Sequence, residues 1–299
     1  MGRILIVGAM GQVGRELQRS FAGCGEIICR DRESLDLAVA DQVREMVERD
    51  SPDLILNAAA YTAVDRAESE PETAMAINAE STRVLAEEAR KRNILLVHYS
   101  TDYVFNGSKQ GPWVEADAPG PLNVYGASKL AGEEAIQQIG GKYLIFRTSW
   151  VYGPHGNNFL LTMLRLGRER DRLTIVDDQL GAPTTSVELA DATFEIAQGV
   201  LAGKFGGPEQ WSGLYHMTCS GSTSWFGFAQ AIFERKKKLL GGKRPEVVPV
   251  PSSSYVTAAK RPTNSVLSND KLRGRFGVSL SSWETALDDV LNTLAEQAK

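Results

Sequence analysis

Ile4-Leu-Ile-Val-Gly8-Ala-Met-Gly11-Gln-Val-Gly14 passes from an apolar strand through a glycine-rich loop into an amphipathic helix. In such a loop Gly8 permits the tight turn, Gly11 lets the backbone approach a pyrophosphate, and Gly14 lets the helix pack close to the strand. The helix N-terminus then presents unpaired N–H groups and a positive dipole end to the phosphates. The stretch predicts a dinucleotide-binding loop; the alternative is a glycine-rich turn packed for structural reasons alone.

The rest of the first half alternates between short apolar runs and amphipathic stretches. We predict strands at Arg3–Val7, Glu26–Cys29, Leu54–Leu56, Ile94–His98 and Tyr143–Arg147, and helices at Val13–Ala22, Asp41–Asp50, Glu72–Arg92 and Ala127–Ile139. Continuous apolar strands separated by helices indicate a parallel sheet that is covered on both faces. The fold class predicted is therefore α/β, a doubly wound parallel sheet of the Rossmann type.

After about residue 150 the pattern loosens, and Gly and Pro become more frequent. Helices are predicted at Phe159–Glu169, Val187–Leu201, Ser224–Lys238 and Trp283–Glu296, with short strands at Leu173–Val176 and Gly213–Thr218. We assign residues 1–150 mainly to the NAD(P)-binding domain and 151–299 mainly to a smaller substrate-binding lobe, interleaved with the last strands of the sheet. The basic run Arg235–Lys238 is interpreted as a solvated helix face.

Composition excludes several classes of function. The 299 residues are 42% hydrophobic and 23% charged with a net charge of −4, which is typical of a globular protein and argues against a nucleic-acid or anionic-membrane surface. No apolar run approaches the length that spans a bilayer, and the residues up to Gly8 are interpreted as a first strand rather than a signal peptide. We predict no nucleic-acid partner and no membrane partner.

Cysteine and histidine usage indicates a cytoplasmic protein without a metal site. Cys24, Cys29 and Cys219 are odd in number and follow no metal-ligand spacing, so they are interpreted as reduced thiols. The three histidines, at 98, 155 and 216, are scattered along the chain.

Three segments after the glycine loop are candidates for the cofactor. Asp31 lies about 20 positions beyond the glycines and suits the ribose hydroxyls of NADH, whereas the arginines on either side of it suit the 2′-phosphate of NADPH. Preference between the two cofactors stays open. Asp36 and Leu37 would lie near the adenine, although a surface turn explains them nearly as well. Asn57–Ala60 ends the third strand, and its small side chains leave room for a nucleotide; Asn57 is equally explained as a turn residue.

A tyrosine and a lysine four positions apart form the candidate catalytic pair. Tyr125 and Lys129 share one face of a predicted helix. An ammonium beside a phenol stabilises the phenolate and lowers the tyrosine pKa from about 10, which allows proton transfer near neutral pH. This spacing also occurs by chance, but here it follows a dinucleotide loop and the polar strand end His98-Tyr-Ser-Thr-Asp-Tyr103.

These motifs resemble those of the extended short-chain dehydrogenase/reductase family, and most closely its dTDP-4-dehydrorhamnose reductases. The resemblance covers nearly the whole chain and is carried by Gly8-x-x-Gly11-x-x-Gly14, Asn57-Ala-Ala-Ala-Tyr-Thr-Ala-Val-Asp-Arg-Ala-Glu68, His98-Tyr-Ser-Thr-Asp-Tyr-Val-Phe105, Pro121-Leu-Asn-Val-Tyr-Gly126, Phe146-Arg-Thr-Ser-Trp-Val-Tyr152, Asp178-Gln-Leu-Gly-Ala-Pro-Thr184 and Arg261-Pro-x-Asn-Ser265. It implies reduction of the C4 ketone of a dTDP-sugar by hydride from NADPH or NADH.

The resemblance also implies roles for individual residues. Tyr125 donates the proton, Thr101 hydrogen-bonds the substrate carbonyl, and Lys129 binds the nicotinamide ribose. Asp102 contacts the sugar and Trp150 lines its pocket. Further cofactor contacts are implied for Gln12, Val13, Ala59, Ala60 and Tyr99. Arg261 is matched to a diphosphate contact, with a surface ion pair as the alternative.

One feature of some relatives is expected to be missing. Those relatives dimerise through a magnesium ion held by glutamates. Glu16 matches the first of these positions, but Val187 and Thr293 occupy the others, with Glu188 one step away. Aliphatic and hydroxyl side chains do not replace carboxylates around a hard cation. We therefore predict no metal, and a monomer or weak homodimer.

Two other functions remain as alternatives. The first is another reaction on the same scaffold, such as a nucleotide-sugar 4,6-dehydratase or 4-epimerase. A dehydratase would need an acid directly after Asp102, where this chain has Tyr103. The second is a binding protein resembling the regulatory subunit of methionine adenosyltransferase. Such a role would tolerate loss of Tyr125 and Lys129, which are both present.

Overall fold

The computed structural model describes residues 2–235, 239, 241–242 and 244–297. Its strands are β1 (Arg3–Val7), β2 (Glu26–Arg30), β3 (Leu54–Asn57), β4 (Leu95–Thr101), β5 (Tyr143–Thr148), β6 (Val151–Tyr152), β7 (Arg172–Val176), β8 (Leu180–Gly181), β9 (Thr184–Thr185), β10 (Gly213–His216), β11 (Thr223–Ser224) and β12 (Glu246–Val250). Its α-helices are α1 (Gln12–Ser20), α2 (Ala40–Asp50), α3 (Val64–Ala67), α4 (Pro71–Met75), α5 (Ser81–Arg92), α6 (Val124–Ile139), α7 (Phe159–Glu169), α8 (Ser186–Leu201), α9 (Pro208–Trp211), α10 (Trp225–Arg235), α11 (Asp270–Phe276) and α12 (Trp283–Gln297). A π-helical turn spans Ala76–Glu80, and 3₁₀ turns span Asp102–Val104 and Ser252–Ser254.

The central sheet contains six parallel strands in the order β2-β1-β3-β4-β5-β10. The side chains of strand β1 show that both faces of the sheet are covered. Ile4 and Ile6 belong to one hydrophobic cluster, while the alternate residues Leu5 and Val7 belong to a second cluster on the opposite face. The predicted fold class, a doubly wound α/β sheet, is confirmed.

The topology reverses at β1, which lies between β2 and β3. The loops after β1 and β3 therefore diverge around a crevice at the carboxyl ends of the strands, where ligands bind in open α/β sheets. Main-chain hydrogen bonds join the ends of neighbouring strands at the base of this crevice. Gly8 N donates to Arg30 O at 2.8 Å, and Ala58 N donates to Val7 O at 2.9 Å. This crevice positions the glycine loop beside Ala58–Ala60.

Each element predicted in the first half is present with ends that differ by up to three residues, and the long helix predicted at Glu72–Arg92 contains a π-helical turn. That segment consists of α4, the π-helical turn and α5. The turn brings Asn78 inward, where its Oδ1 accepts from Tyr61 N at 2.7 Å and its Nδ2 donates to Ser128 Oγ at 2.9 Å. The predicted helix is therefore present, and these contacts explain the π-helical turn within it.

In the second half, the helix predicted at Phe159–Glu169 is confirmed at both ends. Strand β10 pairs with β5 and extends the central sheet, so the second half of the chain contributes a strand to the sheet as predicted. The parallel pair β7–β12 lies outside the sheet, and β12 was not predicted. The division of the chain near residue 150 stays a prediction. Of the basic run Arg235–Lys238, residues 236–238 lie outside the described residues.

Within the described residues, every helix is too short or too polar to cross a lipid bilayer.

Candidate active site

The glycine loop forms a cradle of backbone atoms. Gly8 has φ +82°, and a Cβ there would lie 2.7 Å from the Ala59 backbone. A Cβ on Gly14 would overlap the Gly8 carbonyl oxygen, so α1 packs directly on the loop. No side chain caps the N-terminus of α1, which leaves its first N–H groups for a ligand. These features fit a dinucleotide pyrophosphate.

Gln12 and Val13 follow the cradle but face protein. Gln12 Oε1 accepts from Asn158 Nδ2 at 2.9 Å, which ties the loop to the segment before α7. Val13 packs against the larger hydrophobic cluster. Their predicted cofactor contacts stay predictions.

The segment after β2 is organised by its own side chains. Arg30 makes a two-pronged ion pair with Asp50, at 2.8 Å and 2.6 Å. Asp31 Oδ1 accepts from the backbone N–H groups of residues 33 and 34, at 3.1 Å and 3.2 Å. Of the two arginines that flank Asp31, only Arg32 is exposed and not held by Asp50. Asp31, which suits the ribose hydroxyls of NADH, and Arg32, which suits the 2′-phosphate of NADPH, therefore lie in the same short turn.

Asp36 and Leu37 lie just beyond this turn. Asp36 Oδ1 accepts from Ala38 N at 2.9 Å, and Leu37 packs against the smaller hydrophobic cluster. The sequence left two options for Asp36 and Leu37, a position near the adenine or a surface turn. The contacts of both residues are those of a surface turn.

Thr101, Asp102 and Tyr125 come together where β4 ends and α6 begins. The Thr101 hydroxyl caps the 3₁₀ turn by accepting from Tyr103 N at 3.2 Å, and it donates to Asp102 Oδ1 at 3.0 Å. Asn123 caps α6, because its Oδ1 accepts from Gly126 N at 2.7 Å. The cap fixes Tyr125 in the first helical turn, where its phenol lies close enough to the Thr101 hydroxyl to affect its pKa.

The pKa of Tyr125 is raised, contrary to the prediction that Lys129 lowers it. Burial raises the pKa to about 12, the Thr101 hydroxyl opposes this, and the nearby charge of Asp102 adds to it. The prediction was wrong for this structure because Lys129 Nζ makes its hydrogen bonds elsewhere. A phenol with this pKa is fully protonated at neutral pH and so enters a reaction as an acid.

Lys129 is 1% exposed and hydrogen-bonds the strand beside it. Its Nζ donates to the Tyr99 carbonyl oxygen at 2.7 Å and lies 3.1 Å from His98 Nε2. Burial lowers the pKa of Lys129 to about 8, although the Glu133 carboxylate opposes this. The Tyr99 ring points away, with its hydroxyl 2.7 Å from Thr193 Oγ1. The lysine is thus ordered by β4 on the same helix face as Tyr125.

Asp102 is 2% exposed, and burial raises its pKa to about 7. Its buried Oδ2 has no hydrogen-bond partner within 3.5 Å among the described residues, although the Ser265 hydroxyl lies near enough to the carboxylate to oppose the rise in its pKa. Buried carboxylate oxygens are normally paired, so this atom beside Thr101 fits a ligand hydroxyl.

A cavity of about 970 Å³ is lined by residues of the second half of the chain, together with Leu122. Its lining includes Leu122, Phe159, Arg170, Gln179, Trp225, Tyr255 and Arg261. Trp150, with φ +48°, stacks on the cavity-lining Trp225 at a centroid distance of 3.6 Å and an interplanar angle of 7°. Trp150 therefore supports the cavity wall from behind Trp225.

Arg261 crosses the cleft to α3. Its Nη2 and Nη1 lie 2.7 Å and 3.2 Å from the two carboxylate oxygens of Asp65, which also accepts from Ala259 N at 3.1 Å. The Tyr103 hydroxyl lies close enough to Arg261 for the guanidinium to oppose the rise that burial causes in its pKa, and the Tyr103 ring packs edge-on against Tyr125 at 5.8 Å. The arginine is an ion-pair partner, as one alternative proposed, and it also lines the cavity.

The residues at the magnesium positions do not fit a metal. The buried Glu16 carboxylate accepts from Arg19 Nε at 2.8 Å. Glu188 accepts from Ser281 N at 2.8 Å, and the Thr293 hydroxyl donates to Asp289 O at 3.1 Å. A guanidinium already compensates Glu16, and residue 187 is a valine, so no step of the reaction is assigned to a metal.

Several residues at the site were not assigned roles from the sequence. His98 touches Lys129, Asp65 holds Arg261, and Arg147 pairs with the fully buried Glu133 at 2.6 Å one turn beyond Lys129. The signal for His98 was its position in a buried strand, where a polar residue needs a partner. Asp65 and Arg147 gave no local signal because their partners lie on other elements.

The chain matches the family model described as the RmlD substrate binding domain over residues 2–296. It is 45% identical over 298 residues to a dTDP-4-dehydrorhamnose reductase of Burkholderia thailandensis, which covers 99% of this chain and 100% of that protein.

Two solved structures share the fold along their whole length. A dTDP-4-dehydrorhamnose reductase from Clostridium acetobutylicum superposes with a TM-score of 0.88 at 37% identity, over 98% of this chain and 99% of that one. A dTDP-4-dehydrorhamnose reductase from Bacillus anthracis, solved in complex with NADP, gives a TM-score of 0.86 at 37% identity, over 97% and 99% of the two chains.

Proposed function

Since the chain belongs to the RmlD substrate binding domain family, whose members include dTDP-4-dehydrorhamnose reductases, we infer that it reduces dTDP-4-dehydro-L-rhamnose to dTDP-L-rhamnose. The cofactor is NADPH or NADH. The observation that carries this inference is that Thr101, Tyr125 and Lys129 come together where β4 ends and α6 begins, with the glycine cradle at the neighbouring switch point of the sheet.

The side chains divide the work of reduction among them. When bound, the nicotinamide supplies the hydride that C4 of the sugar receives. Tyr125 then donates its proton to the new alkoxide oxygen, and the Thr101 hydroxyl stabilises the charge on the same oxygen. Lys129 binds the nicotinamide ribose. Burial of these groups excludes water and strengthens each of their electrostatic interactions.

Two further groups bind the substrate. Asp102 Oδ2 accepts a hydrogen bond from a sugar hydroxyl, since it has no hydrogen-bond partner within 3.5 Å among the described residues. Arg261 lines the 970 Å³ cavity and is the residue proposed for the diphosphate. Its guanidinium is held meanwhile by Asp65, so binding of a diphosphate would exchange one anion for another.

Tyr103 argues against a dehydratase. It occupies the place after Asp102 where a dehydratase would have an acid, and its ring is fixed by Tyr125 and Arg261. A non-catalytic binding role leaves the placement of Tyr125 beside the buried Thr101 unexplained. A 4-epimerase remains the second candidate on this scaffold, and it differs in consuming no net cofactor.

The test is a cofactor-oxidation assay. The protein is incubated with dTDP-4-dehydro-L-rhamnose and either NADPH or NADH, and the nicotinamide absorbance is followed while the sugar product is identified by chromatography. Loss of the reduced-nicotinamide absorbance with formation of dTDP-L-rhamnose is expected. Absence of oxidation with both cofactors would refute the reductase.

The same proposal includes a monomer or weak homodimer acting in the cytoplasm. The guanidinium that pairs with Glu16 and the free thiols of Cys24, Cys29 and Cys219 support it. Light scattering in the presence and absence of EDTA tests the assembly: a mass and an activity that EDTA leaves unchanged are expected. A loss of either that magnesium restores would contradict it.

A further inference from the structure

A buried chain of polar groups connects Lys129 to the cofactor loop. Ala59 N donates to Asn57 Oδ1 at 3.3 Å, Asn57 Nδ2 lies 3.0 Å from His98 Nδ1, and His98 Nε2 lies 3.1 Å from Lys129 Nζ. Asn57 and His98 are directly opposite one another in the β3–β4 ladder, and both are fully buried. In the proposed reduction Lys129 binds the nicotinamide ribose, and neither His98 nor Asn57 has a role.

The hydrogen-bond donors and acceptors along this series of polar groups can be assigned one after another, starting from Ala59 in the cofactor loop. Because Asn57 Oδ1 accepts from Ala59 N, the amide presents its NH₂ group to His98. His98 Nδ1 is therefore an acceptor. Burial holds the pKa of His98 well below its usual range, and a charged Lys129 would lower it further, so in either case the imidazole is neutral and carries one proton. That proton lies on Nε2, the nitrogen that faces Lys129.

This arrangement suits only one charge state of Lys129. A neutral amine accepts the Nε2 proton through its lone pair while it donates to the Tyr99 carbonyl oxygen. An ammonium group has no lone pair, so an Nε2–H group and an N–H of Lys129 would face each other. The ammonium form requires His98 to carry its proton on Nδ1, and Asn57 must then turn its carbonyl oxygen towards His98 and give up Ala59 N.

Other charges around Lys129 do not remove this conflict. On its own helix, Tyr125 is a neutral phenol and Glu133 is paired with Arg147 of β5 through hydrogen bonds of 2.9 Å and 2.6 Å. Asp102, on the 3₁₀ turn after β4, hydrogen-bonds Thr101. His98 is thus the side chain that meets Lys129 Nζ directly.

We propose that His98 and Asn57 are positioning residues that couple the charge of Lys129 to the cofactor loop: the amine form goes with the His98 proton on Nε2, and the ammonium form with that proton on Nδ1 and the Asn57 amide turned over. Turning the amide releases the N–H of Ala59, whose backbone lies against Gly8 in the cradle. A ligand that engages this N–H therefore favours the ammonium form, and by linkage the ammonium form favours the ligand.

The direct test uses the unmodified, ligand-free protein. The chain has three histidines, so ¹⁵N labelling of histidine gives few signals, and long-range ¹H–¹⁵N correlation distinguishes the Nε2–H from the Nδ1–H tautomer. We expect His98 to be Nε2–H at pH 9.5 and to change to Nδ1–H as the pH is lowered through about 8, where Lys129 gains its proton. A tautomer that stays the same from pH 6 to 9.5 would overturn the inference.

A second test compares two substitutions of His98 by the pH dependence of kcat/KM, which reports groups of the free enzyme. If Lys129 acts as the ammonium, activity falls as the pH rises through its pKa. His98→Gln offers an amide oxygen to the ammonium, so this fall should move up by about one pH unit. His98→Phe offers no acceptor, so the fall should move down. Shifts in the same direction, or none, would contradict the inference, because a packing role does not distinguish the two variants by sign.

Thr82→Val is the matched control. Thr82 is buried on α5 with no partner for its hydroxyl among the described residues, and its methyl group faces Gly132 of α6. This isosteric change removes a buried polar atom near the same helix, and the pH profile should not move. The kinetic comparison rests on the proposed function, whereas the tautomer measurement needs no substrate. An inactive wild-type protein whose His98 tautomer changes with pH would refute the proposed function and support this inference.

Discussion

The cofactor side of the cleft is formed by main-chain groups, whereas the substrate side is formed by side chains. The cofactor cradle is backbone: Gly8 and Ala58 are joined to neighbouring strands by main-chain hydrogen bonds, and the whole cradle lies in the first 60 residues. The substrate side is made of side chains from distant segments, such as Asp65 with Arg261 and Trp150 with Trp225. A backbone cradle is complete before its ligand arrives, whereas an ion pair across a cleft can exchange partners with a charged substrate.

Tyr125 lies between the two sides, so its loss should affect the chemistry and neither binding event. We expect Tyr125→Phe to lower kcat about 10³-fold, because general acid catalysis typically contributes 10²–10⁴-fold. Steady-state kinetics and fluorescence titration with NADPH measure both effects. Tyr143→Phe, a tyrosine at the opposite end of the sheet, is the control and should keep full activity. A Tyr125→Phe enzyme with normal turnover would remove this residue from the mechanism.

Gly14→Ala should damage the cofactor side alone. A Cβ at this position overlaps the Gly8 carbonyl oxygen, and overpacking of this kind costs about 1–3 kcal/mol. We expect NADPH affinity to fall about 10- to 100-fold in a titration. Gly274→Ala in α11 is the matched control, since a Cβ there meets nothing within 4 Å. Unchanged NADPH affinity in the Gly14 variant would show that the glycine loop can move to accommodate the added methyl group.

Arg261→Gln should damage the substrate side alone. Loss of a charge-assisted contact to a diphosphate costs about 1.5 kcal/mol or more, which corresponds to a rise in KM for the nucleotide sugar of about tenfold. NADPH affinity should not change. Arg44→Gln on α2 serves as the control for loss of an exposed arginine. If the KM for the nucleotide sugar stayed the same in the Arg261 variant, the diphosphate would have to be bound by other residues of the cavity.

Asp65→Asn should have the smallest effect and the opposite sign. Asp65 competes with the substrate for Arg261, so its neutralisation should lower KM about two- to threefold. The ion pair is partly exposed, and such pairs contribute only about 0–1 kcal/mol to stability. Kinetics and thermal unfolding measured together separate the two effects. An increase in KM would mean that Asp65 positions the arginine for the substrate rather than competing for it.

The cofactor side was largely predictable from the sequence, because its determinants are local. The order strand, Gly8, Gly11, Gly14 and helix lies within a dozen residues, and the bounds predicted for β1 match the structure. The substrate side was less predictable. Arg261 and its partner Asp65 are 196 positions apart, and β12, which pairs with β7, is a short run whose partner lies some 70 positions earlier. Pairing over such distances leaves no periodic signal in either segment.

The direction of individual side chains was the least predictable feature. The spacing of Tyr125 and Lys129 correctly predicts a shared helix face, but it does not show that Lys129 Nζ turns to His98 and the Tyr99 carbonyl oxygen. The predicted fall in the Tyr125 pKa therefore became a rise. In the same way, the helix predicted at Glu72–Arg92 is present, but the sequence did not show the π-helical turn within it, where Asn78 contacts Tyr61 and Ser128.

Transfer of deuterium tests the reductase assignment most directly. The protein is incubated with dTDP-4-dehydro-L-rhamnose and NADPH carrying deuterium at the transferable C4 position, and the sugar product is analysed by mass spectrometry and NMR. We predict dTDP-L-rhamnose with one deuterium at C4 of the sugar, and one NADPH consumed for each molecule formed. A product without deuterium, or conversion of the sugar without net consumption of NADPH, would contradict the assignment and favour an epimerase.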